Sequence, residues 1–522
     1  MSVLYKILTL TQWKIDGFFF NIFSSVLLVL TSVLIYLTCR RRPGVPPGPL
    51  RFPVVGNLPS LASRNVLNSL DLLRKKYGDI FSLYIGKELV VVLNGYETIH
   101  DAFVKKGSQF IYRPPSALKN INTGILYCNG RHWKEQRVFL QKTLQDVCLK
   151  FSARNIEEII NLEAKELICA IEKRAAAFDV TDYVRHAGLN VMFRVTYGKR
   201  FEFGDVNAVR FAENMDNAAT QVAKIQILSN LFPFLQSLPG DIVGNEKRLA
   251  LKNEMHSFAR KLAGNENEDK TNHNDVMSSR FSLADAFNDQ IEIVDNMEKD
   301  SGLSNTCSFT DSSREDTMVD LIGAGGDTTA TSVMWVIVHL VRDQNVQNKV
   351  YDEIQTQIEN GREPCLQDRD SMPYTQAVIL ESLRLTTTAP LALPHSVQYD
   401  TLFHGYIIPK DATVIANMTT ALDDPAVWTN PKQFNANRFL VTDAKTGRVS
   451  VRIPDQYIPF SLGPRSCIGE TVAKMEVFLF ITGLVQKFQL VSGVETTVPD
   501  MEGELGITYR PKPFTIQFIK RP

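Results

Sequence analysis

"PFSLGPRSCIGE", residues 459–470, sets one cysteine among glycines, an arginine and a phenylalanine near the C-terminal end of a 522-residue chain. Four roles are open to Cys467: buried structural thiol, half of a disulfide, nucleophile or metal ligand. The seven cysteines, at positions 39, 128, 148, 169, 307, 365 and 467, are odd in number and form no C-x-x-C pair. Such usage fits a reducing compartment, sets the disulfide aside and suggests no zinc knuckle. The form F-x-x-G-x-R-x-C-x-G, with Phe460, Gly463, Arg465, Cys467 and Gly469, is specific. Its glycines allow a sharp turn and a close approach of backbone to a planar group, with the sulfur pointing outward at a helix start. A structural thiol needs none of this, so nucleophile and ligand remain.

Three further constellations accompany that loop. Residues 316–341 form a proline-free apolar helix, with a capping box expected at Ser312 and Glu315. Its middle, GAGGDTT, places Gly323, Gly325 and Gly326 inside a helix at about 1 kcal/mol each relative to alanine, beside Asp327 and Thr328. One reading is a widened turn passing a flat ligand, with Asp327 and Thr328 supplying protons; the other is close helix packing, with threonines bonded back to the preceding turn. Glu381 and Arg384 lie at i,i+3 on a helix of otherwise apolar residues. They form either a surface pair or a buried pair that a further partner, Arg438 in NANRFL, would have to complete. Trp133 and Arg137 in NGRHWKEQRVF put an indole donor and a guanidinium on one helical face. That suits a carboxylate ligand, and equally an amphipathic surface helix.

Lysine plus arginine equals aspartate plus glutamate at 57 each, so nucleic-acid binding has no electrostatic support. Residues 18–39, FFFNIFSSVLLVLTSVLIYLTC, carry no charge, and 22 residues of helix span about 33 Å, enough to cross a bilayer. Arg40, Arg41 and Arg42 follow, which places residues 1–17 on the far side and the body on the cytosolic side. A cleaved secretory signal is the alternative, but arginines stand where its small-residue cleavage site would be. A basic, proline-rich hinge, residues 40–59, leads to a single body, residues 60–522. In that body, residues 80–95 read as two strands around a turn at Gly86-Lys87, and residues 130–390 as mainly helical. Strand-like runs recur in HGYIIPKDATVIAN and YRPKPFTIQF, and 265–276 reads as a surface loop. The expected fold class is mainly α (α+β), with a small β-rich N-terminal subdomain.

In the order of these motifs the chain resembles the cytochrome P-450 superfamily of haem-thiolate monooxygenases, from the hinge to the C-terminus. VVLNGYETI, PYTQAVILESLRL and LPHSVQYDTLFHGYIIPK are most similar to the animal microsomal family-2 branch. The resemblance implies that Cys467 is the thiolate ligand of the iron of haem b, with Phe460 shielding the sulfur and the backbone through Gly469 tempering its charge. It implies Arg465, Trp133, Arg137 and His395 as propionate ligands, and Ala324 and Gly325 as the border of the oxygen site. Asp327 and Thr328 become the acid and alcohol of a proton relay, and Glu381, Arg384 and Arg438 a structural triad. Two departures stand out: Ala436-Asn437 replaces the usual Pro-Glu before Arg438-Phe439, and Val138 replaces a common arginine.

The implied reaction uses O2 and NADPH-derived electrons to oxygenate a lipophilic small molecule such as a steroid, fatty acid or xenobiotic. The chain has no flavin or nicotinamide fingerprint, so the implied donor is a membrane-bound NADPH-cytochrome P-450 reductase, with cytochrome b5 as a second one and Lys134 and Lys474 as basic contacts. The implied location is the endoplasmic reticulum membrane, and the implied pocket walls are residues 111–126, 216–235, Thr388 to Leu393 and Leu505 to Thr508. A haem-thiolate isomerase or dehydratase acting on lipid peroxides without a reductase is the second reading, and a non-catalytic haem sensor the third.

Overall fold

The computed structural model describes residues 23–33, 36, 39–61, 65–114, 124–149, 156–264, 282–301, 308–410, 412–493 and 498–522. The surface loop expected at 265–276 lies outside them. Of the apolar N-terminal segment, Phe23–Val33 is helical and its large side chains are exposed. Eleven residues rise only about 16 Å, so this described part alone does not span a bilayer.

A small sheet opens the body. Strands β1 (Ile80–Ile85) and β2 (Glu88–Asn94) pair antiparallel around a turn at Gly86-Lys87, and β2 then pairs parallel with a strand more than three hundred residues later, Thr413–Asn417. Both early strands are buried along nearly their whole length. Their continuous apolar runs are what such two-sided burial requires.

The rest is a helical body around one long central helix. We label its helices α1 (Gly130–Leu149), α2 (Ile156–Glu172), α3 (Thr181–Tyr197), α4 (Val206–Leu231), α5 (Asn245–Gly264), α6 (Asp311–Arg342), α7 (Pro373–Leu385) and α8 (Glu470–Lys487). Helix α6 has 32 residues, about 48 Å, and Val333 to Leu340 are all buried. Its indole at Trp335 donates to the Tyr509 carbonyl at 2.7 Å, so the largest core side chain is also satisfied. The capping box forms at Thr310 and Ser313, two residues before the expected pair. Glu315 is drawn instead to α5, where Arg260 donates to it at 2.7 Å and His256 lies 3.3 Å away.

The glycines of α6 have a packing explanation. A Cβ at Gly323 would lie 2.1 Å from Met215 Cε, one at Gly325 2.5 Å from Met192 Sδ, and one at Gly326 2.7 Å from Leu189 Cδ2. Helices α3 and α4 therefore press onto this turn. Close helix packing, the second of the two readings, accounts for these glycines.

Candidate haem-thiolate site

The stretch quoted first folds as a short turn, Gly463–Arg465, followed by the start of α8. Gly463 has φ +75°, and a Cβ there would stand 1.9 Å from the Phe103 carbonyl oxygen, so only glycine fits. The Cys467 N–H donates to the Phe460 carbonyl at 3.0 Å and closes the loop. Cys467 is exposed by surface area yet closely surrounded by protein; the two together mean that its side chain opens onto an internal recess. Burial and the Glu470 carboxylate raise the thiol pKa, while the Gly469 N–H, Arg137 and Lys474 pull it down. A side chain at Gly469 would meet nothing within 4 Å.

Around this recess lies a group of guanidiniums that form no ion pair with an acid among the described residues. The Arg465 guanidinium donates to the carbonyls of Ile111 (2.9 Å), Ile125 (3.4 Å) and Cys128 (2.7 Å) and to Asn129 Oδ1 (3.2 Å). It also lies 4.0 Å from the centroid of the buried Trp133 ring. Arg137 donates to the Ser466 carbonyl at 2.8 Å, and its buried Nε has no partner. Sequence reasoning missed a third guanidinium, Arg113, which bonds the carbonyls of Leu126 (3.0 Å), Leu393 (3.1 Å) and Pro394 (2.9 Å). Desolvation and mutual repulsion lower Arg465 to about 9 and Arg113 to about 10. Carbonyl dipoles solvate these charges without neutralising them, so the cluster calls for an anion.

His395 is fixed between two elements. Its backbone exchanges hydrogen bonds with Val414 (2.8 and 2.7 Å), and its ring stacks on Phe103 at 4.0 Å. Nδ1 faces the Phe110 carbonyl at 2.7 Å and so must carry the hydrogen. Burial, Arg113 and Arg465 lower its pKa to about 3. Nε2 of this neutral ring is an acceptor, so the expected propionate bond needs a second proton, which a neighbouring carboxylate would draw in.

On α6, Thr328 Oγ1 donates to the Ala324 carbonyl at 2.6 Å, the back-bonded form. Asp327 is no free acid. Arg510 donates to it at 2.7 Å and Thr508 at 3.2 Å, Arg185 lies 3.6 Å away, and Arg185 and Arg510 both also hold Asp216 of α4. The Tyr509 N–H meets the Thr388 carbonyl at 2.7 Å, so the segments expected at 216–235, Thr388 to Leu393 and Leu505 to Thr508 converge on α6. Of the fourth, 111–126, residues 115–123 lie outside the described residues. Its end is held by Asp320 of α6, which accepts from the Leu126 N–H at 3.0 Å; burial raises this carboxyl to about 7. An acid inside the otherwise apolar run MVDLIGAG was the available signal. Asp320→Ala should speed amide exchange at Leu126 about 10- to 100-fold, as loss of a charged hydrogen bond implies, and Asp320→Asn much less. Unchanged exchange in the alanine variant would refute the latch.

Glu381, Arg384 and Arg438 meet away from the recess, with Arg384 Nε 2.7 Å and Arg438 Nε 2.9 Å from the Glu381 carboxylate. Lys474 is engaged by Glu470 at 2.6 Å, whereas Lys134 is exposed. Val138 is exposed too.

A family model described as Cytochrome P450 matches residues 46–518. The chain belongs to the cytochrome P450 family. It is 32% identical over 482 residues to cytochrome P450 2C16 of Oryctolagus cuniculus, covering 91% of this chain and 94% of that protein. It is 33% identical over 484 residues to cytochrome P450 2K4 of Oncorhynchus mykiss (91% and 92%), and 31% over 501 residues to cytochrome P450 2C23 of Rattus norvegicus (94% and 97%). As a cytochrome P450 it is a haem-thiolate monooxygenase that uses haem b, O2 and NADPH-derived electrons. A redox partner and a lipophilic substrate belong to that chemistry. The guanidiniums without an ion-pair partner among the described residues and the recessed sulfur suit the two propionates and the iron of haem, so the residues present fit the cofactor.

Proposed function

We propose that this cytochrome P450 hydroxylates or epoxidises a steroid, fatty acid or xenobiotic, with Cys467 as iron ligand and NADPH-cytochrome P-450 reductase as electron donor. Cytochrome b5 serves as an alternative second donor. Residues 18–39 anchor the protein in the endoplasmic reticulum membrane, 1–17 face the lumen, and the hinge 40–59 holds the catalytic body, 60–522, on the cytosolic side. The observation that carries the reading is the group of desolvated guanidiniums Arg113, Arg137 and Arg465, one of which donates to Ser466 next to Cys467, and none of which is ion-paired to an acid among the described residues.

Bound haem supplies the reduction of O2 and the transfer of one oxygen atom to the substrate. Cys467 would hold the iron through its sulfur, tempered by the Gly469 N–H and covered by Phe460. Trp133, Arg113, Arg137 and Arg465 would bind the propionates, joined by His395 once its ring is doubly protonated. Thr328 holds a proton at Oγ1, its lone pair and hydrogen oriented by the Ala324 carbonyl. Asp327 can pass a proton toward it only after loosening from Arg510, so the ion pair meters the acid. Glu381, Arg384 and Arg438 keep the core rigid.

Turnover of a lipophilic substrate panel with reductase and NADPH, set against peroxide alone, tests the reading. Product only from lipid peroxides without reductase would favour the isomerase or dehydratase. Thr328→Ala should retain the thiolate spectrum while peroxide release per NADPH rises several-fold. Unaltered coupling would remove Thr328 from the relay.

A further inference from the structure

Glu476 lies on the inward face of α8, the helix that begins directly after the Cys467 loop, and is 1% exposed. Its Oε1 has no hydrogen-bond partner. A Cβ placed on Gly188 of α3 would stand 3.2 Å from that oxygen and 3.0 Å from the Gly326 carbonyl oxygen of α6. The acid thus reaches the crossing of α3 and α6, one residue from Asp327. Both oxygens border the space beside the Gly188 backbone.

The surrounding charges decide which state fits. From α2 comes Glu163, itself fully buried, which accepts from Arg194 of α3 (2.9 Å), from Arg200 beyond α3 (3.0 Å) and from Asn190 (3.1 Å). Those cations are already committed to Glu163, while α6 offers Glu476 only a backbone carbonyl. A second carboxylate here would be buried without compensation. Desolvation, and then Glu163, raise the Glu476 carboxyl well above its ordinary range.

We propose that Glu476 is a neutral, protonated acid whose O–H ties α8 to the crossing of α3 and α6, making it a positioning residue for the Cys467 loop. The sign of its pH dependence follows. The folded protein keeps a proton that the unfolded chain releases above about 4.5, so stability present below that pH is lost as pH rises toward the raised folded pKa.

The test uses the haem-loaded full chain and the Glu476→Gln variant, which keeps a neutral donor of similar shape. As pH rises above about 4.5 the folding constant of the wild type should fall relative to the variant, by up to about tenfold per pH unit. An infrared carbonyl band of a protonated carboxylic acid should be present in the wild type and absent from the variant. Alkaline loss of the thiolate band of the reduced, carbon monoxide-bound protein should move to higher pH in Glu476→Gln. Parallel stability curves, or no protonated-carboxyl difference band, would overturn the proposal even if Glu476→Ala fails to fold.

Discussion

Replacing Cys467 by alanine is expected to remove the thiolate-specific Soret band of the reduced, carbon monoxide-bound protein and to lower monooxygenase turnover at least ~1,000-fold, about 4 kcal/mol of barrier. The recess around this residue is built for one sulfur. Gly463 gives way to the Phe103 carbonyl, the Cys467 N–H is held by Phe460, and the Gly469 N–H faces the thiol. Alanine keeps that backbone and deletes only the ligand, so folding should change little. Cys467→Ser is the sharper comparison, because it keeps an oxygen donor in the same place but loses the soft, electron-rich sulfur. Retained turnover in the alanine variant would end the haem-thiolate assignment at this position.

The loop was legible because its constraints are local: a left-handed glycine, a turn and a helix start all lie within ten residues. Glu381 and Arg384 were legible for the same reason, being one helical turn apart. What sequence reasoning missed depends on partners far along the chain. The glycines of α6 answer to Leu189, Met192 and Met215, more than a hundred residues earlier, so interior glycines alone could not separate packing from ligand access. Arg113 satisfies itself on three carbonyls from two distant loops, which leaves no companion acid to notice. Asp327 looked like a free acid because its cations, Arg185 and Arg510, come from α3 and from a C-terminal strand. Glu476 reads as one more charged residue on a helix until Glu163 and its arginines surround it.

Arg384→Ala should cost about 3–5 kcal/mol of stability and release haem on mild heating, whereas Arg438→Ala should cost clearly less. Both Arg384 and Glu381 are fully buried, and Arg384 holds the carboxylate through Nε at 2.7 Å and Nη2 at 3.0 Å. Two of its remaining hydrogens go to the carbonyls of Leu422 (2.6 Å) and Pro431 (2.7 Å), and Nη1 lies 3.5 Å from Asp423, so alanine would leave two carbonyls unmet and strip the fully buried Glu381 of its two-point partner. Arg438 lies nearer the surface and three of its bonds go to carbonyls on the segment 429–433. Glu381 would retain Arg384 and the Asn435 N–H without it. That N–H also explains why Ala436-Asn437 can stand in for the usual Pro-Glu: the Asn435 side chain caps the following turn by accepting from Asn437 at 3.1 Å, and Arg438 is still delivered. Arg384→Lys keeps the charge but not the fork, and should fall between the two alanine variants. Urea midpoints of the haem-loaded proteins give the order directly. Equal losses for Arg384→Ala and Arg438→Ala would mean that the carboxylate, and not the buried fork, sets the strength of the triad.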